Sequence, residues 1–263
     1  MPVLKSLPTP FRALSIAALI AVLFSASFVS SVRADEAYDR RSVRTYIDLT
    51  YSDDTPVRRF RGDVTWLVKG MEGLSSADTQ AVFDLFDQFT GNALRKGDDE
   101  TANLTIDYVK NVAFEAMTPD YRPRMQGDVA DDAYVETLNQ VAENRKNLVA
   151  NFLTSDLDQT IIAASALAEN HWAKRGTYIP PRRYLMQIVF FMLTGTKKGG
   201  AVYESVQASV PDLPEFTELP ILDEALIYVL YSNNNWNALP TERAREELLN
   251  AMMTYLQSTG RGL

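Results

Sequence analysis

The chain of 263 residues contains no cysteine and a single histidine, and these two absences exclude several kinds of site. Without cysteine there are no disulfides, no cysteine-ligated zinc, no iron–sulfur cluster and no thiol nucleophile. With His171 alone, one chain cannot build the two-imidazole site of a zinc metallopeptidase helix. The Gly-x-Ser-x-Gly, phosphate-loop, dinucleotide-binding and Ca²⁺-loop patterns are also absent from the sequence. We therefore expect no catalytic residue, no metal ligand and no cofactor.

Basic residues are too few for a nucleic-acid-binding protein. There are 26 Lys and Arg against 34 Asp and Glu, which gives a net charge of −8. Neutralising phosphates requires clustered Lys and Arg, and docking on anionic lipid requires the same. The densest basic patch is Arg58, Arg59 and Arg61, which can bind an acidic partner but more simply solvates the chain before the first predicted strand. Because 46% of the residues are hydrophobic, the chain is expected to fold around a sizeable core.

The first 34 residues have the pattern of a secretory signal peptide. Lys5 and Arg12 precede a short apolar segment, and Val32 and Ala34 are small residues at the two positions that a signal peptidase reads. The densest apolar part, residues 13–24, is shorter than the ~20 residues that span a bilayer. We expect cleavage after Ala34, export to the periplasm or the medium, and no membrane span afterwards; an uncleaved anchor helix is the alternative.

Cleavage would make the mature protein more acidic than the whole chain. It removes Lys5, Arg12 and Arg33 and no acid, so the net charge falls from −8 to −11. The mature part, residues 35–263, is expected to form a single domain of the α+β class, with a small sheet packed by helices and a helical C-terminal part. The predicted helices cover residues 39–49, 75–91, 131–144, 182–193, 222–231 and 241–257, and the predicted strands cover residues 63–69 and 101–109.

Four further segments have predictions of their own. Residues 148–153 and 160–166 are predicted as a hairpin, with helix as the alternative because of their alanines. Residues 117–127 are predicted as a Pro-rich loop, and Thr241 as the cap of the last helix. The strand, helix, strand order near the N-terminus is compatible with a sheet packed on one side by a helix. Residues 182–193 are almost entirely apolar, which is typical of a buried core helix.

A few polar and aromatic residues are candidates for chemistry or binding. His171 can act as a lone general base oriented by Glu169, although a surface histidine packed on Trp172 is the simpler interpretation. Two acidic clusters can supply oxygen ligands to a hard cation, although each is also typical of a solvated loop. These clusters are Asp98, Asp99 and Glu100, and Asp128, Asp131 and Asp132.

Three aromatic residues near an asparagine run are further candidates. Tyr228, Tyr231 and Trp236 can line a groove for a sugar or a peptide. The alternative is that the two tyrosines belong to the core, because they follow a helical spacing, and that the asparagines form a turn.

The order of four stretches resembles an uncharacterised family of exported bacterial proteins, mostly alphaproteobacterial, known as domain of unknown function 2927. These stretches are a helix near Tyr46 followed by residues 57–60 and 64–68, the helix end at residues 89–91, the strand at residues 102–106, and the late helix at residues 222–231. The resemblance implies a fold distantly like that of zinc metallopeptidases, the zincins. It also implies an acidic helix in the place of the metal-binding helix.

The chain departs from this pattern at the implied metal helix, which would be residues 184–195 here. Gln187 and Gly195 match, but Leu185 and Met186 stand where the resemblance implies acids, and the family's cysteines are missing. The resemblance therefore implies a degenerate member with no catalytic or metal residue.

Two hypotheses about function follow. The first is an exported, non-catalytic protein that binds an unknown protein or envelope partner. The second is a carboxylate-dependent hydrolase acting on a peptide or glycan of the cell envelope, which requires two convergent acids, at least one with a raised pKa. A small-ligand binding protein is a weaker third hypothesis. The surroundings of residues 184–193 separate the first two, because an enzyme needs one face of that helix to open to a cleft.

Overall fold

The computed structural model describes residues 37–51, 55–91, 93–127, 129–143, 149–155, 160–169, 180–196, 218–232 and 241–262. Within these ranges the chain is a mixture of helices and one small sheet, which confirms the α+β prediction at this coarse level. The predicted signal peptide lies outside the described residues. The helices are α1 (Arg40–Thr50), α2 (Ser76–Thr90), α3 (Val112–Glu115), α4 (Arg122–Gln126), α5 (Asp131–Glu143), α6 (Pro181–Thr194), α7 (Ile221–Ser232) and α8 (Thr241–Ser258). The strands are β1 (Val64–Lys69), β2 (Leu94–Lys96), β3 (Leu104–Val109), β4 (Val149–Ser155) and β5 (Ile161–Glu169).

The five strands form one sheet in the order β2-β1-β3-β5-β4. Strands β2, β1, β3 and β5 are parallel, and β4 lies antiparallel to β5 at one edge. The β4–β5 pair is the predicted hairpin, so the helical alternative for these residues is wrong. None of the helices in the described ranges has the length and apolar character needed to cross a membrane.

Strand β1 alternates as its sequence predicts. Val64 and Trp66 are buried on one face, whereas Thr65 lies partly exposed on the other. The strand ends at Gly70, whose φ of +68° is readily adopted only by glycine. A Cβ at this position would lie 2.5 Å from the carbonyl oxygen of Tyr108 on β3, so the neighbouring strand leaves no room for a side chain.

The connection from β2 to β3 crosses over β1, because these two strands flank β1 on opposite sides. The crossing segment, residues 97–103, passes over the face that carries Thr65. Thr65 Oγ1 donates a hydrogen bond to the carbonyl oxygen of Thr101 at 2.5 Å, and the Asn103 amide nitrogen donates to the carbonyl oxygen of Thr65 at 2.9 Å. Asn103 Oδ1 also accepts from the Thr65 amide nitrogen at 2.8 Å, so the asparagine side chain joins the crossing segment to β1.

Helix α2 covers the opposite face of β1. Ser75 is its N-cap, since Asp78 N donates to Ser75 Oγ at 3.1 Å, and Gly91 ends it in the left-handed conformation. The sequence predicts a cap at Ser75 or Ser76 and a stop at Gly91, and the structure has the cap at Ser75. The ring of Phe83 stacks on Trp66 with centroids 3.9 Å apart, which joins the helix to the sheet through an aromatic contact.

Helices α1, α6, α7 and α8 complete the main core on this side of the sheet. The last carbonyl groups of α6 are bonded by tyrosines from two other helix segments. Tyr51 Oη donates to the Thr194 carbonyl oxygen at 3.3 Å, and Tyr231 Oη donates to that of Leu193 at 3.1 Å. These hydroxyls satisfy acceptors that a helix end leaves without an intrahelical partner.

The other face of the sheet is covered by a smaller helical layer, in addition to the helix on one side that the strand, helix, strand order indicated. This layer consists of α3, α4 and α5, and Arg124 on α4 donates to the buried carboxylate of Asp107 on β3 at 2.6 Å. Its apolar cluster contains Val112, Ala116, Met125, Tyr134, Leu138 and Leu167.

Two local predictions need correction. Residues 117–127 are not a plain loop, because they contain α4. Pro123 lies in the first turn of this helix, where proline has no intrahelical hydrogen bond to lose. Thr241 is the first residue of α8 in the structure and not the residue before it, and residues 233–240 lie outside the described ranges.

Candidate functional site

The helix that the resemblance places at the metal site is α6, and it is buried. Pro181 lies in its first turn, and Gly195 ends it with a φ of 68°. Every residue of α6 except Arg182 is buried, and both Leu185 and Met186 are 0% exposed. A substrate and a metal-bound water need access from a cleft, and no face of this helix provides one.

Two polar residues of α6, Arg183 and Gln187, are also buried. Arg183 and Gln187 are one helical turn apart and each is 3% exposed. Gln187 Oε1 accepts no hydrogen bond from the described residues. A buried acceptor without any partner costs about 1–3 kcal/mol, so replacing Gln187 is a test of its surroundings.

The acidic clusters do not converge on a metal site. Among the residues that the structure describes, no group of three or more histidine, aspartate or glutamate side chains lies close enough to hold an ion. Asp98 bonds the backbone of its own turn, with Thr101 N donating to Oδ1 at 2.9 Å, and Asp99 pairs with Lys69. This cluster therefore shapes the segment that crosses β1.

The second acidic cluster has a similar local role. Asp131 accepts from Gln126 Nε2 at 2.6 Å and from an Arg122 nitrogen at 3.0 Å, which joins the start of α5 to α4. Both contacts, the one from Gln126 first, lower the pKa of Asp131. Asp132 is exposed, and Asp128 lies outside the described residues.

The structure does not bring the other candidate residues together in one described site. His171, Trp172 and Trp236 lie outside the described residues. Glu169, the proposed partner of His171, accepts from the Val112 amide nitrogen at 3.1 Å at the start of α3, a contact that supports the helix.

The two tyrosines of α7 point in different directions. Tyr231 bonds α6 and packs against the main core, as the core interpretation predicts. Tyr228 is 42% exposed and packs against Tyr255 of α8 in a tilted ring contact, so the core interpretation is wrong for Tyr228.

The basic patch before β1 is bonded to the sheet through its backbone. Phe60 within it is fully buried, and backbone hydrogen bonds of 2.9 and 3.0 Å join Arg59 and Arg61 to Ile161 at the start of β5. This segment therefore belongs to the framework of the sheet.

A groove between α1 and α8 provides a cavity of about 380 Å³ at the surface. The two helices run side by side, and Ile47 and Leu249 form an apolar floor. Glu246 spans the helices by pairing with Arg44 at 2.5 Å and with Arg40. The remaining lining residues are Asp48, Glu242 and Arg245.

The groove carries carboxylates that are available to a ligand. Asp48 and Glu242 make no hydrogen bond or ion pair with the described residues, and both are exposed. Glu246 is already paired with two arginines. These contacts, the one with Arg44 more than the one with Arg40, lower the pKa of Glu246. An apolar floor with acceptors at the rim and arginines beside them suits a ligand that carries both apolar and charged groups.

The pKa shifts of the carboxyl groups do not support a carboxylate-dependent hydrolase, because each one lowers the pKa. Local hydrogen bonds lower the pKa of Asp39, Asp78 and Asp98, as they do for Asp131 and Glu246. A general acid requires the opposite shift. The groove was not predicted from the sequence, because α1 and α8 are far apart in the chain. Arg40, Arg41 and Arg44 lie on the polar side of α1, but no pattern in the sequence pairs them with α8.

A scan of protein-family models and searches of curated proteins and of solved structures find no match to this chain. The resemblance to the family of unknown function therefore stays a prediction.

Proposed function

We propose that this chain is an exported protein, periplasmic or secreted, that binds a protein or envelope partner and does not catalyse a reaction. We propose further that its fold is a degenerate form of the zincin-like fold. The observation that carries the proposal is the burial of α6. The positions where the resemblance implies acids hold Leu185 and Met186, which are both 0% exposed.

The packing around α6 explains why the binding function is preferred to catalysis. The helix lies between the sheet and α2 and α7, and tyrosine hydroxyls bond its last carbonyl groups. Opening a cleft along this helix would expose the most apolar segment of the core. Exposing apolar surface to water costs about 25 cal/mol of folding free energy per Å².

The groove between α1 and α8 is the surface that we assign to the partner. It combines Ile47 and Leu249 with the available carboxylates of Asp48 and Glu242. The pair between Arg44 and Glu246, whose side chains are about half exposed, places both charges at the rim of the groove.

Metal analysis and peptidase assays of the purified protein, with a Met186→Glu variant, test the proposal. We expect no stoichiometric zinc and no turnover of peptide substrates by the natural protein. The variant is expected to lose stability by several kcal/mol, because it places an unpaired carboxylate in the core. A matched Thr254→Glu variant on the exposed face of α8 controls for the added charge and is expected to keep its stability.

Two results would overturn the proposal. Stoichiometric zinc together with peptide turnover by the natural protein would show that a site exists despite the burial of α6. A Met186→Glu variant that folds with unchanged stability and gains zinc would show that this position faces an accessible site.

A further inference from the structure

Helix α7 exposes one narrow line of side chains on an otherwise buried surface. Glu224, Tyr228 and Ser232 follow one another at intervals of four residues, so they lie along one side of the helix. Tyr228 is 42% exposed, whereas the residues on the other sides of α7 are mostly buried in the main core. A large aromatic side chain is therefore kept at the surface of a helix that buries its aliphatic residues.

The exposed tyrosine is held by a second aromatic side chain. The rings of Tyr228 and Tyr255 have centroids 4.5 Å apart and planes inclined by 32°. Tyr255 Oη donates a hydrogen bond of 2.6 Å to Glu224 Oε1, which brings the carboxylate back to the same pair of rings. Three side chains from two helices thus form an arrangement that we call the tyrosine platform: Glu224, Tyr228 and Tyr255.

The tyrosine platform offers two kinds of contact side by side. Tyr228 is 42% exposed although Tyr255 packs against it, so part of its ring offers an apolar surface to a ligand. Glu224 Oε2 makes no hydrogen bond with the described residues, so it remains a charged acceptor. Charged acceptors form the stronger class of hydrogen bond with hydroxyl donors.

We propose that the tyrosine platform is a binding site for a saccharide ring. A pyranose has an apolar C–H face that packs flat on an aromatic ring, and its equatorial hydroxyl groups donate hydrogen bonds at the edge of that face. Tyr228 matches the first feature and Glu224 Oε2 matches the second. Because Tyr255 fixes both groups before a ligand arrives, little conformational freedom is lost on binding.

An organic cation, the other ligand that aromatic rings and a carboxylate attract, fits the platform less well. The platform has two rings, tilted by 32° and packed against each other, whereas cages for ammonium groups surround the charge with several rings. Burial, together with the hydrogen bond and the charge of Glu224, raises the pKa of Tyr255, and the positive charge of Arg261 partly opposes this.

The site extends the proposed binding function to a class of ligand, and it is separate in position from the groove between α1 and α8. The test is a titration of the full protein, followed by NMR, with β-1,4-linked tetramers of N-acetylglucosamine and of glucose and with an α-1,4-linked tetramer of glucose. We expect at least one tetramer to bind with a Kd of about 1 mM or tighter. Tyr228→Ala and Glu224→Gln are each expected to weaken that binding about tenfold.

Controls separate the platform from the remainder of α7. Tyr231→Phe changes a tyrosine on the inward side of the same helix and is expected to leave the affinity unchanged. Absence of binding by all three tetramers overturns the proposal, as does saccharide binding that Tyr228→Ala leaves intact. Binding of tetramethylammonium at the platform without any saccharide binding would instead identify a cation site. Zinc and peptide turnover bear on the proposed function and leave this measurement unaffected.

Discussion

Replacing Tyr46 with phenylalanine removes one hydroxyl group from a buried contact between α1 and α7. Tyr46 Oη donates to Asp223 Oδ1 at 2.7 Å, and the two residues are 3% and 0% exposed. The phenylalanine ring occupies the same space, so the packing of the core is retained. The substitution therefore isolates the loss of a donor to a carboxylate that water cannot reach.

The size of the effect follows from the burial of Asp223. A hydrogen bond to a charged group contributes about 1.5–3 kcal/mol when its loss leaves a buried acceptor without that partner. We expect the free energy of unfolding of Tyr46→Phe to fall by this amount. For a domain of this size, each kcal/mol lowers Tm by about 2–4 °C, so a decrease of about 3–12 °C is expected.

Urea unfolding at neutral pH measures the change, with a double-mutant cycle that adds Asp223→Asn. The cycle isolates the coupling between the two side chains from the separate cost of each substitution. Tyr255→Phe is the matched control, because its hydroxyl also donates to a carboxylate, that of Glu224, but only partly buried. Water can replace this donor, so the control is expected to lose less stability.

A small effect would refute the reasoning. If Tyr46→Phe changes the stability by less than about 0.5 kcal/mol, or if the cycle shows no coupling to Asp223, the hydroxyl does not hold the buried carboxylate.

Two further predictions concern pH and the buried amide of α6. Burial raises the pKa of Tyr46, Tyr51 and Tyr108 in the folded protein, whereas tyrosines in the unfolded chain ionise near pH 10. Their contribution to stability is complete below that pH and is lost above it, by about 4 kcal/mol per pH unit for three groups, so urea midpoints should fall steeply from about pH 10. Midpoints that stay constant from about pH 9 to pH 11 would contradict this. Gln187→Met removes an acceptor that lacks a described partner and should raise the stability by up to about 1 kcal/mol, as a Tm measurement will show. A marked loss of stability would instead reveal a bond to Gln187 Oε1.

The sequence predicted those parts of the fold that local signals determine. The serines at 75 and 76 and the terminating Gly91 predicted the bounds of α2 to within one residue, and the alternation around Trp66 identified β1. The apolar run of residues 182–193 likewise predicted a buried helix. Each of these features depends on residues within a few positions of one another, so a sequence pattern contains them.

Strand β2 was missed because its signal is not local. It has only 3 residues, too few for an alternating pattern, and it exists because it pairs with β1 in the register Val64↔Leu94. In the second layer, α5 was predicted, whereas α3 and α4 were missed for a similar reason. The residues of α4 were assigned to a loop on the basis of their prolines, whereas the cluster that Met125 shares with Leu167 and the pair between Arg124 and Asp107 stabilise this helix.

The surface sites depended still more on long-range contacts. The groove needs Arg44 and Glu246, which are brought together only when α1 packs on α8. The spacing of Tyr228 and Tyr231 indicated one shared face, but α7 is buried on so many sides that three positions separate an inward residue from an exposed one. Only the partner of each tyrosine, Tyr255 or Leu193, shows which is which.

The crossing of β1 by residues 97–103 has a consequence for the order of folding. One continuous stretch, from Val64 to Val109, supplies β1 and both of its neighbours, so three strands can pair while the chain closes only short loops. The partner of β3 on its other side arrives much later in the sequence, with Leu104 opposite Ala164. Short loops close at a lower entropic cost than long ones, and local contacts favour fast folding. This stretch is therefore the natural starting point of the sheet, to which the β4–β5 hairpin is added.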